Sequence, residues 1–129
     1  MSVKPRQNIS SGYPFEDTYG YSRAVRVGNL VLVSGTTARG EALQGDAHVQ
    51  ARAILELIGA ALAEAGATLS NVVRTVVYVI DLADQDAIAK AHREAFADIR
   101  PASTLVQVAA LTPAAARLEI EVTAVIGRG

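Results

Sequence analysis

The sequence predicts an α+β domain with the element order ββαβαββ, a mixed sheet covered on one face by two helices. Three observations predict it. Two strand-like runs flank Gly28-Asn29, a residue pair suited to a tight hairpin loop. Two segments of helical period follow, separated by the β-branched run Val72–Ile80. The closing stretch alternates, with Leu118, Ile120, Val122 and Ala124 on one side and Glu119, Glu121 and Thr123 on the other.

The elements follow in order. Residues 1–20 are rich in Ser, Gly and Pro, hold neither period, and read as an irregular arm. Tyr13, Phe15 and Tyr19 predict that this arm packs, since aromatic surface is costly to leave in water. Tyr21–Val27 and Leu30–Ser34 form the hairpin, and the glycine-rich stretch 35–45 is a loop. Asp46 stands at an N-cap position, so a helix runs from about Ala47 to Ala65 and stops at Gly66, where a left-handed residue suits a helix end. His48, Arg52 and Glu56 leave only a narrow polar stripe on it, which predicts more than one buried side. Thr68–Asn71 turns into the strand Val72–Ile80, where Val73, Thr75, Val77 and Val79 are expected on one face of a central strand. Asp84 opens a second helix to about Phe96, with Ile88, Ala91 and Ala95 inward, and Pro101 forbids its continuation. Strands near Thr104–Val108 and Leu118–Ile126 complete the sheet.

Composition bounds the function. A chain of 129 residues is expected to form a single domain over 1–129. Its 12 basic and 13 acidic residues are dispersed without a block of either sign, which argues against nucleic acid as a partner. Cysteine is absent, so thiolate nucleophiles, disulfides and Cys-ligated metals are excluded. The first residues carry no signal-peptide pattern, and the apolar stretch Ala51–Ala65 is broken by Arg52, Glu56 and Glu64, so a cytoplasmic location without membrane contact is expected. Two isolated histidines without a spaced carboxylate partner predict no metal site.

Several runs point to a family. Tyr21-Ser22-Arg23-Ala24-Val25 with Val27-Gly28-Asn29-Leu30-Val31 and Val33-Ser34-Gly35, then Ala63–Ala67 with Val72-Val73-Arg74-Thr75, then Arg100–Val108, then Glu119-Ile120-Glu121, stand in one order along Tyr21–Ile126. Together they resemble the Rid proteins, the reactive intermediate deaminases also called YjgF-like or endoribonuclease L-PSP. That resemblance implies a chorismate-mutase-like fold, a homotrimer, and small-molecule clefts between subunits in which imines or enamines are hydrolysed without metal or organic cofactor. Carried over residue by residue, it implies that Glu119 orients the attacking water, that Tyr21 stands at the cleft wall, and that Ser34 and Gly35 contribute to binding. The family arginine that grips a substrate carboxylate falls on Ser103, its next-but-one residue on Leu105, and its second-helix asparagine near Ala89.

The exchange at position 103 narrows the substrate. Arginine holds a carboxylate by two parallel charge-assisted hydrogen bonds, whereas serine offers one hydroxyl, a difference of about 2 to 5 kcal/mol at a buried site. Free 2-imino acids are therefore not the expected substrates, although Ser103 and Thr104 still offer polar contacts. His92 is a further binding candidate, because imidazole titrates near neutrality; its plainer role is packing. Arg23, Arg39 and Arg100 are candidate replacements for the lost arginine, each against the plainer role of surface charge. The sequence thus supports an imine hydrolase, with a non-catalytic metabolite-binding or regulatory trimer as the alternative. A ribonuclease ranks last, for want of a basic groove or paired histidines.

Overall fold

The computed structural model describes residues 6–127. Its elements are β1 (Gln7–Ile9), α1 (Pro14–Tyr19), β2 (Ala24–Val27), β3 (Leu30–Thr36), α2 (Ala47–Glu64), β4 (Val72–Val79), α3 (Gln85–Phe96), β5 (Ala102–Gln107) and β6 (Leu118–Val125). The six strands form one sheet in the order β1-β2-β3-β6-β4-β5, and only the β4–β5 pair is parallel. That pair needs a crossover, which α3 supplies.

The α+β reading holds, and α2 and α3 pack together over one sheet face. Leu118, Ile120, Val122 and Ala124 of β6 are buried beneath the helices with Val31, Val33, Val77 and Val79, while Glu119, Glu121 and Thr123 point to the uncovered face. Asp46 caps α2 by accepting from the Val49 amide at 2.9 Å. At the other end Gly66 takes a φ of +86°, and Arg26 Nη1 donates to the Ala65 carbonyl at 2.8 Å.

Three expectations change. The arm is not irregular throughout, because Gln7–Ile9 pairs with β2 as a sixth strand and Pro14–Tyr19 forms a short helix with proline in its first turn. The stretch 1–5 lies outside the described residues. Val73 does not share the face of Thr75, because the β4–β6 register shifts between Val72 and Arg74, leaving Val72 buried and Val73 exposed. In α2 the buried positions Ala47, Gln50, Ala51, Ile54, Leu55, Ile58, Ala61 and Leu62 fall on one arc of about 140° at helical spacing, a single wide face.

Gln50 fixes how α2 sits. Fully buried, its Nε2 donates toward the carbonyls of Leu43, Gly45 and Ala115, and its Oε1 accepts from the Arg117 amide at 2.9 Å. It thereby ties the loop before α2 to the segment entering β6. Gln50→Ala leaves an amide and several carbonyls buried without partners, at a cost of about 2 to 4 kcal/mol. We expect its Tm to fall by roughly 10 °C in calorimetry. A fall of less than about 2 °C would show that the loop closes without it.

Candidate functional site

The site begins with an extra residue. Between Val33 and Thr36 strand β3 advances one residue more than β6, which runs from Val122 to Ile120, so Ser34-Gly35 form a bulge opposite the carboxylate strand. The Glu119 side chain lies against Gly35 in the space that a β-carbon there would occupy. Glycine at 35 is what lets the carboxylate lie down against the backbone. Glu119 accepts no hydrogen bond from the described residues, and it is half-buried. Burial is the main influence on its carboxyl and raises its pKa above the ordinary range; nearby Arg23 opposes the shift and Glu121 reinforces it.

Arg23 organises the other wall. Only 2% of its surface is exposed. Its Nη1 donates to the Gly35 carbonyl at 2.8 Å and to Thr36 Oγ1 at 3.1 Å, its Nη2 to Tyr21 Oη at 2.8 Å, and its Nε to Glu16 Oε2 at 3.3 Å. Glu16 is itself buried and accepts from the hydroxyls of Ser10 and Ser11; burial presses its pKa upward, yet these hydrogen bonds and Arg23 together hold it below the ordinary value. The phenol of Tyr21, having accepted from Arg23, keeps its own proton to donate. Ser34 Oγ donates to the Ser22 carbonyl at 2.7 Å, which leaves it only as an acceptor toward a ligand.

These groups line a cleft of about 740 Å³. Tyr13, Phe15, Tyr19 and Tyr21 wall it together with Arg6, Arg23 and Arg39, and Glu119 and Glu121 close the far side. Phe15, Tyr19 and Tyr21 pack as an aromatic cluster with centroids 5.6 to 6.3 Å apart. The expectation that the arm aromatics would be hidden fails for Phe15 and Tyr19, which are 42% and 75% exposed.

The predicted residues divide into two groups. Tyr21, Ser34, Gly35 and Glu119 meet in this cleft. Ser103 and His92 do not: β4 pairs Thr75 with Ser103, and the Thr75 hydroxyl lies 2.7 Å from Ser103 Oγ and 2.9 Å from His92 Nε2, on the helix-covered side. Burial lowers the pKa of His92, whose ring rests on Phe96 at 4.7 Å. Thr104 points to the uncovered face and accepts from Arg74 Nη2 at 3.1 Å. Arg100 is exposed and donates to the Ala97 carbonyl at the end of α3.

Sequence reasoning missed the weight of Arg23, set between a substitute carboxylate grip and a surface charge and in fact buried in a network of its own. A signal was available in Glu16, an opposite charge seven positions earlier beside the aromatic run, but the contacts to Gly35 and Thr36 are set by the sheet. Tyr78, whose hydroxyl donates to Glu121 at 2.7 Å and is thereby held above its ordinary pKa, was also unforeseen. It keeps Glu121 occupied beside the unpartnered Glu119.

Comparison with known proteins gives a consistent answer. The family model described as Endoribonuclease L-PSP matches residues 15–126. A protein of Streptomyces coelicolor named only as uncharacterized is 35% identical over 98% of this chain and 97% of its own. The 2-iminobutanoate/2-iminopropanoate deaminase of Capra hircus is 36% identical over 98% of this chain and 95% of its own. A crystal structure from Mycobacterium tuberculosis, described as a member of the YjgF/YER057c/UK114 family, superposes with a TM-score of 0.88 at 45% identity, covering 94% of this chain and 99% of that one.

The raised pKa of Glu119 has a signed consequence. The folded chain holds this proton over a pH window in which the unfolded chain has released it, so stability falls as pH rises through that window and the loss is complete above the folded pKa. We expect Glu119→Gln to raise Tm at neutral pH, with the gain shrinking below the ordinary carboxylate range. Melting curves across pH check this; a gain that grows toward acid would contradict it. Gly35→Ala, by contrast, must swing the Glu119 side chain out of the bulge. Carboxyl NMR should then show Glu119 titrating closer to an ordinary glutamate.

Proposed function

Because this chain belongs to the Endoribonuclease L-PSP family, the YjgF or Rid proteins, we propose that it hydrolyses a small imine or enamine in the Glu119 cleft, with substrates other than free 2-imino acids. The observation that carries the reading is Glu119: a partly desolvated carboxylate with no hydrogen-bond partner among the described residues, pressed onto the Gly35 bulge beside a phenol with a free proton. Such a group takes up a proton more readily than an ordinary carboxylate, which suits a general base. The deaminase named among the relatives supports the same chemistry.

The steps follow from the groups present. Protonation of an enamine at carbon gives directly the same iminium ion that protonation of its imine at nitrogen gives. Protonation at nitrogen makes the imine carbon electrophilic; water held by Glu119 adds to that carbon as Glu119 takes its proton, giving a carbinolamine. Return of that proton to nitrogen and loss of the hydroxyl proton expel ammonia and leave the carbonyl compound; the proton first taken up is given back, so one imine and one water give one carbonyl and one ammonia. Tyr21 donates to the developing oxygen or nitrogen, and the Ser34–Gly35 bulge accepts from the substrate. No step calls on a metal or organic cofactor.

The site belongs to an assembly in this reading. The uncovered sheet face shows Leu30, Leu32 and Val125 together at one end and Val106 on the edge strand beside Tyr78, each at least 40% exposed. We assign it to contacts between copies in a homotrimer. Ser103, Thr104 and His92 would reach a Glu119 cleft only as a neighbouring copy's contribution. Neither histidine enters the cleft within the chain, His48 pairing with Glu94 on the helices, and Glu119 and Glu121 oppose phosphate, so RNA is not the partner proposed.

A second reading, a metabolite-binding trimer without turnover, is favoured by one observation: Ser103, where the family arginine would stand, has its hydroxyl engaged by Thr75. Ammonia release from freshly generated imines separates the two. Glu119→Gln should lower kcat by about 10² to 10⁴ if it handles the proton, and native activity should fall toward acid as Glu119 protonates. Equal rates in native and variant chains would leave the binding trimer. Light scattering should give three copies, and Val106→Arg should dissociate them; a native monomer would remove the shared cleft.

A further inference from the structure

The cleft holds three arginines, and they are not equivalent. Arg23 is spent, its guanidinium fully engaged by Glu16, Tyr21, Gly35 and Thr36. Arg6 is exposed and donates to Asn8. Arg39 is different. Its Cζ stands over the Tyr13 ring, 4.3 Å from the centroid; it is half-buried, and among the described residues it makes one hydrogen bond, from Nη1 to Ser11 Oγ at 3.2 Å. No carboxylate lies within ion-pair distance of it among the described residues. A guanidinium held over an aromatic ring with one donor used leaves its other donors for a carboxylate, which arginine takes through two parallel bonds.

Its place relative to Glu119 sets the ligand. The contacts run in series: Glu119 lies on Gly35, the Gly35 carbonyl accepts from Arg23, Arg23 pairs with Glu16, Glu16 accepts from Ser11, and Ser11 accepts from Arg39. The contacts that connect the two groups pass through the Arg23–Glu16 ion pair. Arg23, not Arg39, is the cation whose charge opposes the shift at Glu119. Glu119 and Arg39 thus share the cleft without a direct contact. We propose that Arg39 seats a carboxylate remote from the reacting carbon, so that the cleft takes ω-imino acids, or their enamines, in preference to 2-imino acids.

This rests on the hydrolase reading for its chemistry but not for its binding. Burial and the neighbouring Arg23 press against the charge on Arg39 while Glu16 partly supports it, so an arriving anion would favour the charged form further. Tyr13 and Phe15 offer apolar wall to the methylenes between the two ends of such a ligand. The exchange at position 103 then fits a moved anion site rather than a lost one.

The test compares imines of an ω-oxo acid, of the same acid as its methyl ester, and of a 2-oxo acid. The native chain should prefer the free ω-acid over its ester, and Arg39→Gln should lower that preference about 30- to 100-fold, chiefly through KM. Arg39→Lys should restore part of it, which a merely structural role for the guanidinium would not require. Glu119→Gln should instead lower kcat for every member. Preference for the 2-imino acid, or a ratio that Arg39→Gln leaves within about threefold, overturns the proposal. If the native chain releases no ammonia from any member, the hydrolase reading fails separately. Calorimetric binding of adipic semialdehyde against its methyl ester then decides: tighter binding of the acid that depends on Arg39 sustains the seat, and equal binding overturns it.

Discussion

The buried Arg23 guanidinium is the constraint around which the cleft is arranged. Removing a cation and the Glu16 carboxylate from water is expensive, and their mutual attraction compensates only when the remaining donors and lone pairs are filled. Here they are filled from three parts of the chain: the arm gives Ser10, Ser11 and Glu16, the approach to β2 gives Tyr21, and the β3 bulge gives the Gly35 carbonyl and Thr36. The same network that docks the arm therefore orients the Tyr21 phenol and fixes the bulge. Because Glu16 occupies Arg23, the positive charge near Glu119 tempers the effect of burial without cancelling it.

The division between sheet faces does the rest. On β6, strict alternation sends four apolar residues under the helices and Glu119 and Glu121 to the uncovered side. On β4 the alternation is reset by the irregularity at Val73, after which Thr75, Val77 and Val79 face the helices and Tyr78 faces Glu121. Occupying Glu121 with the Tyr78 hydroxyl leaves Glu119 as the carboxylate without a partner. Two acidic residues one alternation apart on the same strand thus acquire different chemistry from what each finds opposite.

What was legible in the sequence was what local chemistry dictates. Gly28-Asn29 gave the hairpin, Asp46 and Gly66 the ends of α2, and the period of Leu118–Ala124 both the burial of β6 and the face on which Glu119 stands. Tyr21, Ser34, Gly35 and Glu119 could be grouped because their runs fall in a family order. Illegible were the features that depend on pairing between distant segments. The sixth strand is three residues long, too short to show a period, and exists because β2 offers it an edge. A bulge is a difference in count between two strands, so nothing in Ser34-Gly35 alone announces it. Arg23 sits in a run that reads as an ordinary strand entry, and its burial follows from partners up to thirteen positions away.

The fate of position 103 shows why a motif alone misjudges a site. Ser103 lies on the edge strand β5, facing the helix-covered side, where its hydroxyl joins Thr75 and His92. It is four strands removed from β2, in whose approach Arg23 and Tyr21 sit. An arginine there and an arginine in the loop after β3 would approach a ligand from different structural elements and hence hold different atoms of it. On the proposed reading, Ser103 and the guanidinium of Arg39 belong together, with the reacting end fixed by Glu119 and Gly35 and the anchoring end held from another element. Of the two, the reacting end is the harder to alter, because Gly35 admits no side chain without displacing Glu119, whereas the anchoring arginine rests on a loop that the sheet register does not constrain.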